Sequence, residues 1–308
     1  MTPTAESAMN VGWVGLGAMG GPMARRLVSA GHRVVAFDVV EESRRRFEAD
    51  GGTAVVTAAQ AAAQVDVLVL MVATPAQAEQ VLFEDGAADA LRAGSRVLVT
   101  ATVGDRAVIA WAERLAPLGV RVVDAPVSGG VARAESGTLL VMPAAAPDDL
   151  AAVRPLLDAL AETADPVGTE VGDGQRMKLV NQLLCGVHIA AAGEALALAA
   201  ALGLDPGRAW ETVRRGAAAS FMLDDRGARM LQDDPPVRSA VDIFVKDMGL
   251  VVEAARSAGM DAAVAAAAGS RFRTAQDAGL GRQDDSRVVD TYGVAVRPDG
   301  AGGGQDAS

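Results

Sequence analysis

An α/β N-terminal half built on a parallel sheet, followed by an all-helical C-terminal half, is the fold class this sequence predicts. Three observations lead there. Short apolar runs alternate with helical patterns from Val11 to Ala161, the alternation that marks strand–helix–strand units. The first unit carries a glycine-rich turn at its strand end. Beyond Gly174 confident strands stop and long helical patterns take over.

The first strand, Val11–Val14, ends in GLGAMG, and a helical pattern then leads to a second apolar run, Val34–Phe37, that stops at Asp38. In such a unit Gly15 permits the tight turn, Gly17 lets backbone approach a pyrophosphate and Gly20 brings helix against strand. Free N–H groups at the helix start face the phosphates. Gly15, Leu16, Gly17, Ala18, Met19 and Gly20 are therefore candidate contacts of a dinucleotide, in a Rossmann-type domain. Asp38 stands where a carboxylate accepts hydrogen bonds from the adenosine ribose, which favours NAD. Val39 and Val40 offer no cation to a 2′-phosphate. Arg44, Arg45 and Arg46 follow, either as a solvated helix face or curling back toward a phosphate.

Further apolar runs at Val65–Val72, Val97–Val99 and Val120–Val123 complete a parallel sheet buried on both faces, so its ligand loops begin near Ala73, Thr100 and Ala125. Gly137–Met142 reads as a strand extending that sheet and Pro147–Ala161 as a helix. This domain spans 1–171, with 1–9 a loose extension. Helical stretches at Gln175–Leu202, Gly207–Arg215, Ala240–Ala258 and Ala262–Ala278 then form an all-α domain, 172–297, joined by a long interdomain helix. Gly203 ends that helix, and the Gly-rich polar tail, 298–308, reads as disordered. The stretch Leu183–Leu204 has the length of a membrane span, but Glu194 and its many alanines point to a core helix. A helix apolar around much of its circumference lies between domains or subunits, and a homodimer or higher homo-oligomer is expected.

Composition narrows the classes. The 308 residues are 50% hydrophobic and 22% charged, an ordinary globular balance, and the net charge of -11 excludes nucleic acid and anionic membrane as partners. A single cysteine, Cys185, allows no internal disulfide, and two histidines argue against a metal site. The N-terminal MTPTAESAMN lacks the features of a signal peptide, so a cytoplasmic location is expected.

Three polar clusters interrupt the apolar pattern. Lys178, Asn181 and Gln182 fall at i, i+3 and i+4 and share one helix face, a solvated first turn or a reacting one. DAPVSGG, Asp124 to Gly130, leaves a strand end on the ligand side; Ser128 and the N–H groups of Gly129 and Gly130 can hold a carboxylate, or simply form a turn. Lys246-Asp247 breaks an apolar helix, as a surface ion pair or a functional one.

Together with GTL at Gly137–Leu139 and the segment MKLVNQ, these motifs resemble the β-hydroxyacid dehydrogenase family, which includes 3-hydroxyisobutyrate dehydrogenase, over roughly Val11 to Tyr292. The resemblance implies Lys178 as catalytic acid/base, Asn181 as an orienting residue, and Ser128, Gly129 and Gly130 as holders of the substrate carboxylate. It also implies cofactor contacts from Val72, Ala73, Thr102 and Lys246, with Asp247 positioning Lys246. NQLLCGVHIAAAGEALALAAALGL, RSAVDIFVKDMGLV and GRQDDSRVV are similar to the L-threonate dehydrogenase branch, whose members oxidise C2 of a four-carbon sugar acid. Arg133, Gln182 and His188 then become candidate partners for extra hydroxyls, although His188 reads first as a satisfied core histidine. Ala73, Ala101, Pro143 and the Ala217–Met222 segment depart from the usual pattern. The expected activity is therefore NAD-dependent oxidation of a small hydroxy acid, L-threonate first. Alternatives are 3-hydroxyisobutyrate oxidation or semialdehyde-acid reduction, then imine reduction or non-catalytic NAD binding.

Overall fold

The computed structural model describes residues 8–297. The expected tail, 298–308, and residues 1–7 of the expected extension lie outside the described residues. Met9, assigned to that loose extension, is instead held: its N–H donates to Nδ1 of His32 at 3.3 Å and its side chain packs on the core. The chain divides into two compact units, one ending at Leu179 and the other beginning at Val180.

The first unit alternates strand and helix: β1 (Asn10–Val14), α1 (Gly20–Ser29), β2 (Arg33–Phe37), α2 (Glu41–Ala49), β3 (Thr53–Ala54), α3 (Ala58–Ala62), β4 (Val67–Leu70), α4 (Pro75–Glu79), α5 (Ala87–Ala90), β5 (Arg96–Val99), α6 (Asp105–Leu115) and β6 (Arg121–Asp124). These strands pair in parallel in the order β3-β2-β1-β4-β5-β6. The order reverses between β1 and β4, which opens a crevice at their carboxyl ends, the usual ligand position in such sheets. Burial on both faces explains the continuous apolar strands. Trp13 and Val69 join Met23 and Leu27 in one core, while Val14, Leu68 and Leu70 join Trp111 and Leu115 in the other. The Val65–Val72 run is strand only from Val67 to Leu70; just before it Asp66 donates its N–H to the Asn10 carbonyl at 2.8 Å and accepts the Arg96 N–H at 3.0 Å, while its carboxylate accepts from the main chain and side chain of Asn10.

After β6 come β7 (Val127–Ser128), α7 (Gly130–Ser136), β8 (Leu139–Val141), α8 (Pro147–Leu160) and β9 (Ala161–Thr163). The segment expected to extend the parallel sheet does not. β8 pairs antiparallel with β7 and parallel with β9 in a separate three-stranded sheet. Gly129 at φ 137° and Gly130 at φ 73° reverse the chain here, so β8 returns along β7 instead of lying beside β6.

α9 (Asp173–Ala201) runs through Leu179 into the second unit, and is long and apolar enough to cross a membrane by length and composition alone. Within the second unit follow α10 (Pro206–Val213), α11 (Phe221–Met230), α12 (Val241–Ser257), α13 (Ala263–Ala275) and a 3₁₀ turn, Asp285–Tyr292. α12 and α13 pack through stacked Phe244 and Phe272 rings, 5.1 Å apart. α11 was not expected, since FMLDDRGARM lacks a continuous apolar stripe. Charge holds it. Arg226 Nη2 lies 2.9 Å from Asp285 and Arg229 Nε 2.9 Å from Asp284, both aspartates being fully buried. Asp225 bridges the two arginines at 2.5 and 2.8 Å. Asp284 also accepts the Arg238 N–H and the Ser286 hydroxyl.

Removing one partner of a buried ion cluster strands the other charge. Arg226→Met is expected to lower the unfolding free energy by about 3–5 kcal/mol in urea titration. A loss below about 1 kcal/mol, the range of exposed pairs, would show that Arg229 alone neutralises Asp285.

Candidate functional site

The loop after β1 is shaped by what its glycines lack. Gly15 sits at φ 97°, and a Cβ there would come within 2.2 Å of the Met71 carbonyl oxygen; one on Gly20 would come within 1.9 Å of the Gly15 oxygen. Those two positions serve the protein's own packing. A Cβ on Gly17 would meet nothing within 4 Å. The space over Gly17 is therefore open, which fits a pyrophosphate approaching the backbone at that residue. Leu16 is buried, Met19 packs on the core, and Ala18 is exposed beside Gly17. No side chain caps α1; the Gly21 N–H donates to the Gly17 carbonyl at 3.0 Å, the Met23 N–H donates to the Met19 carbonyl at 3.2 Å, and Pro22 has no N–H to offer.

Asp38 closes the end of β2. Its Oδ2 accepts the Leu16 N–H at 2.6 Å and its Oδ1 the Val40 N–H at 2.8 Å. Each carboxylate oxygen retains a lone pair for a ribose hydroxyl. Arg44 does curl back, but onto the main chain: its Nη1 donates to the Asp38 carbonyl at 2.5 Å. Arg45 and Arg46 instead pair with Glu41 and Glu42 along α2. Past β4, Val72 is half-buried and the exposed Ala73 donates its N–H to Gln77 Oε1 at 2.9 Å.

The ends of β5 and β6 meet the first turn of α9 at two side chains of zero exposure, Asp124 and Gln175. Asp124 Oδ2 accepts the N–H groups of Gly172 at 3.1 Å and Gln175 at 2.8 Å, and Oδ1 accepts Gln175 Nε2 at 2.8 Å. Gln175 Oε1 accepts from Val103 at 2.8 Å and Gly104 at 3.0 Å, while Nε2 also donates to the Ala101 carbonyl at 3.1 Å. Half-buried Thr102 lies inside this bracket. Burial pushes the Asp124 carboxyl up to about 6, against the pull of the Gln175 and Gly172 donors. Sequence reasoning missed Gln175. Its signal was position: three residues before Lys178, on the same helix face.

From β6 the chain reaches Ser128, Gly129 and Gly130, where the stem of Arg133 occupies the space a Gly129 Cβ would need. Lys178 is buried on α9. Farther along α9, Asn181 Nδ2 donates to Gln182 Oε1 at 2.8 Å and reaches Cys185 Sγ at 3.4 Å. The Gln182 amide donates to Asp247 Oδ2, whose other oxygen lies 3.0 Å from Lys246 Nζ. The second unit thus gathers Asn181, Gln182, Lys246 and Asp247 into one chain of contacts, with Gln182 committed to its neighbours on both sides. His188 is half-buried on the same helix.

Residues 10–170 match the family described as the NAD binding domain of 6-phosphogluconate dehydrogenase, and residues 172–292 the family described as NAD-binding of NADP-dependent 3-hydroxyisobutyrate dehydrogenase. The L-threonate dehydrogenase of Cupriavidus necator is 39% identical, over 92% of this chain and 96% of its own. That of Haemophilus influenzae is 37% identical, over 95% and 98%. A solved structure described as 3-hydroxyisobutyrate dehydrogenase from Salmonella typhimurium superposes with a TM-score of 0.86 at 37% identity, covering 92% of this chain and 99% of that one.

Two outcomes follow from this geometry. Gly17→Ala should leave the melting temperature unchanged yet weaken NADH binding by about tenfold or more, whereas Gly20→Ala should destabilise the first unit itself; calorimetry and NADH fluorescence titration separate the two, and equal effects would refute the assignment of the open space. For Asp124 the folded chain holds its proton to a higher pH than the unfolded chain. Its contribution to stability is full below the ordinary 3.8 and is lost as pH rises through about 6, a change of about 3 kcal/mol. The stability difference between wild type and Asp124→Asn, from urea unfolding at pH 4 and pH 7, should shift by that amount. A difference independent of pH would show that this carboxyl titrates normally.

Proposed function

The chain belongs to the β-hydroxyacid dehydrogenase family, and we propose that it oxidises the C2 hydroxyl of L-threonate, with Lys178 as general base. That it is an NAD-dependent oxidoreductase rests on the family itself. The observation that carries the substrate is the 39% identity to an L-threonate dehydrogenase along nearly the whole of both chains. Oxidation of 3-hydroxyisobutyrate is the second reading, favoured by the Salmonella structure of that description.

NAD, when bound, supplies the hydride acceptor. The chain's residues supply alignment and proton transfer. In this reading Gly15, Leu16, Gly17, Ala18, Met19 and Gly20 receive the pyrophosphate and Asp38 the ribose, with Val72 and Ala73 along the cofactor. Thr102 and Lys246 serve the nicotinamide end. Ser128 and the N–H groups of Gly129 and Gly130 hold the substrate carboxylate. Lys178, as the amine, would take the proton of the substrate hydroxyl as it is oxidised. Asn181 orients the hydroxyl, and Gln182 acts through Asn181 and Asp247, a reading supported by its two side-chain partners. Asp247 in turn steadies Lys246, supported by their 3.0 Å separation.

The division of labour we propose is an NAD-binding domain over 1–171 and a helical substrate and dimerisation domain over 172–297, supported by the two family matches. The homodimer we propose is supported by a stripe of exposed apolar side chains on α9, Val180, Leu184 and Leu198, that suits a second copy.

Purified protein assayed with L-threonate, D-threonate, 3-hydroxyisobutyrate, D-glycerate and L-serine should turn over L-threonate fastest, with NAD preferred to NADP. Lys178→Ala should bind NADH normally while kcat falls about 10²–10⁴-fold. Wild-type turnover in that variant would remove Lys178 from the mechanism.

A further inference from the structure

We propose that Gln175 and Asp124 are positioning residues of the reaction, fixing Lys178 against the Thr102 loop and the Ser128 turn. The proposal rests on the reading of Lys178 given above. A glutamine side chain offers two donor hydrogens and two acceptor lone pairs. All four are used here: Val103 and Gly104 donate to Oε1, and Nε2 donates to Ala101 and Asp124. Three of those partners are main-chain atoms flanking Thr102, so the loop cannot rotate without breaking bonds to one buried side chain. The same residue's own N–H is tied to Asp124, and Lys178 follows three residues later on α9.

Asp124 completes the frame from the other side. It ends β6, and its carboxylate takes three N–H donors, all from the start of α9 and the residue before it. Ser128 lies four residues farther along the chain from Asp124, across Pro126, whose carbonyl accepts the Met142 N–H at 3.0 Å. Three segments that carry proposed reacting groups thus share one buried knot. Hydride and proton transfer tolerate little misplacement, an error of about 1 Å costing on the order of 10²-fold. The knot therefore acts on rate through geometry, without touching substrate.

The test uses the full chain and three variants. Gln175→Glu removes both amide donors and sets a second carboxylate against Asp124. Asp124→Asn, the milder change, serves if the first fails to fold. The double variant Asp124→Asn/Gln175→Glu restores one amide-to-carboxylate bond with the roles exchanged. Each single variant should lose kcat by about 10²-fold with the NADH dissociation constant changed less than about threefold, and the double should regain at least about tenfold. In a Lys178→Ala background Gln175→Glu should cost nothing further, since the group it positions is gone. A kcat within about twofold of wild type in folded single variants would overturn the proposal, as would an undiminished loss in the Lys178→Ala background. Failure of Lys178 itself is read separately, from Lys178→Ala alone.

Discussion

The carboxylate of Asp124 is the interaction on which the first unit's functional end depends. A parallel sheet delivers its loops to one edge but does not by itself set their mutual register; each loop is free to choose its own exit. Here one carboxyl group, excluded from water at the end of β6, collects N–H donors from the first turn of α9, and its partner Gln175 collects the loop after β5. Because both side chains have no exposure, a half-made version of this network would leave polar atoms buried and unpaired, at about 1–3 kcal/mol each. The arrangement is consequently all-or-none, which is what a site needing sub-ångström placement requires.

The second unit solves a related problem with charge pairs. α11 buries Leu223 and Met230 but no continuous apolar stripe, and Arg226 and Arg229 fasten it to Asp285 and Asp284. The apolar helices α12 and α13 need no such aid. Within the same unit the chain from Asn181 through Gln182 to Asp247 and Lys246 is built by the same logic, polar groups satisfied by one another on a helix otherwise apolar.

Much of this was legible in the sequence. The glycine spacing and Asp38 announced β1, α1 and β2, since a dinucleotide loop constrains backbone chemistry residue by residue. The long helices of the second half were visible from apolar continuity. What escaped had physical reasons. β3, β7 and β9 are two or three residues long, too short for a period of two to register. β8 looked like a sheet strand because its composition is that of one; only the chain reversal at Gly129 and Gly130 decides which sheet it joins. α11 is held by charge, which hydrophobic periodicity does not detect, and Gln175 gains its meaning from partners more than fifty residues away. Gln182 was legible as a polar residue sharing a helix face with Lys178 and Asn181, but not as already engaged.

Asp38 illustrates how tightly a small site can be coupled. The carboxylate proposed to receive the ribose is also a splint for the glycine loop, through the Leu16 N–H, and for the start of the next loop, through the Val40 N–H. Its main-chain carbonyl meanwhile anchors Arg44. A lineage drifting toward the phosphorylated dinucleotide has the arginine at hand, yet replacing the aspartate would loosen the turn proposed to receive the pyrophosphate. Cofactor preference is thus pleiotropic in this chain, and its evolutionary route runs through a change of loop shape before a change of charge.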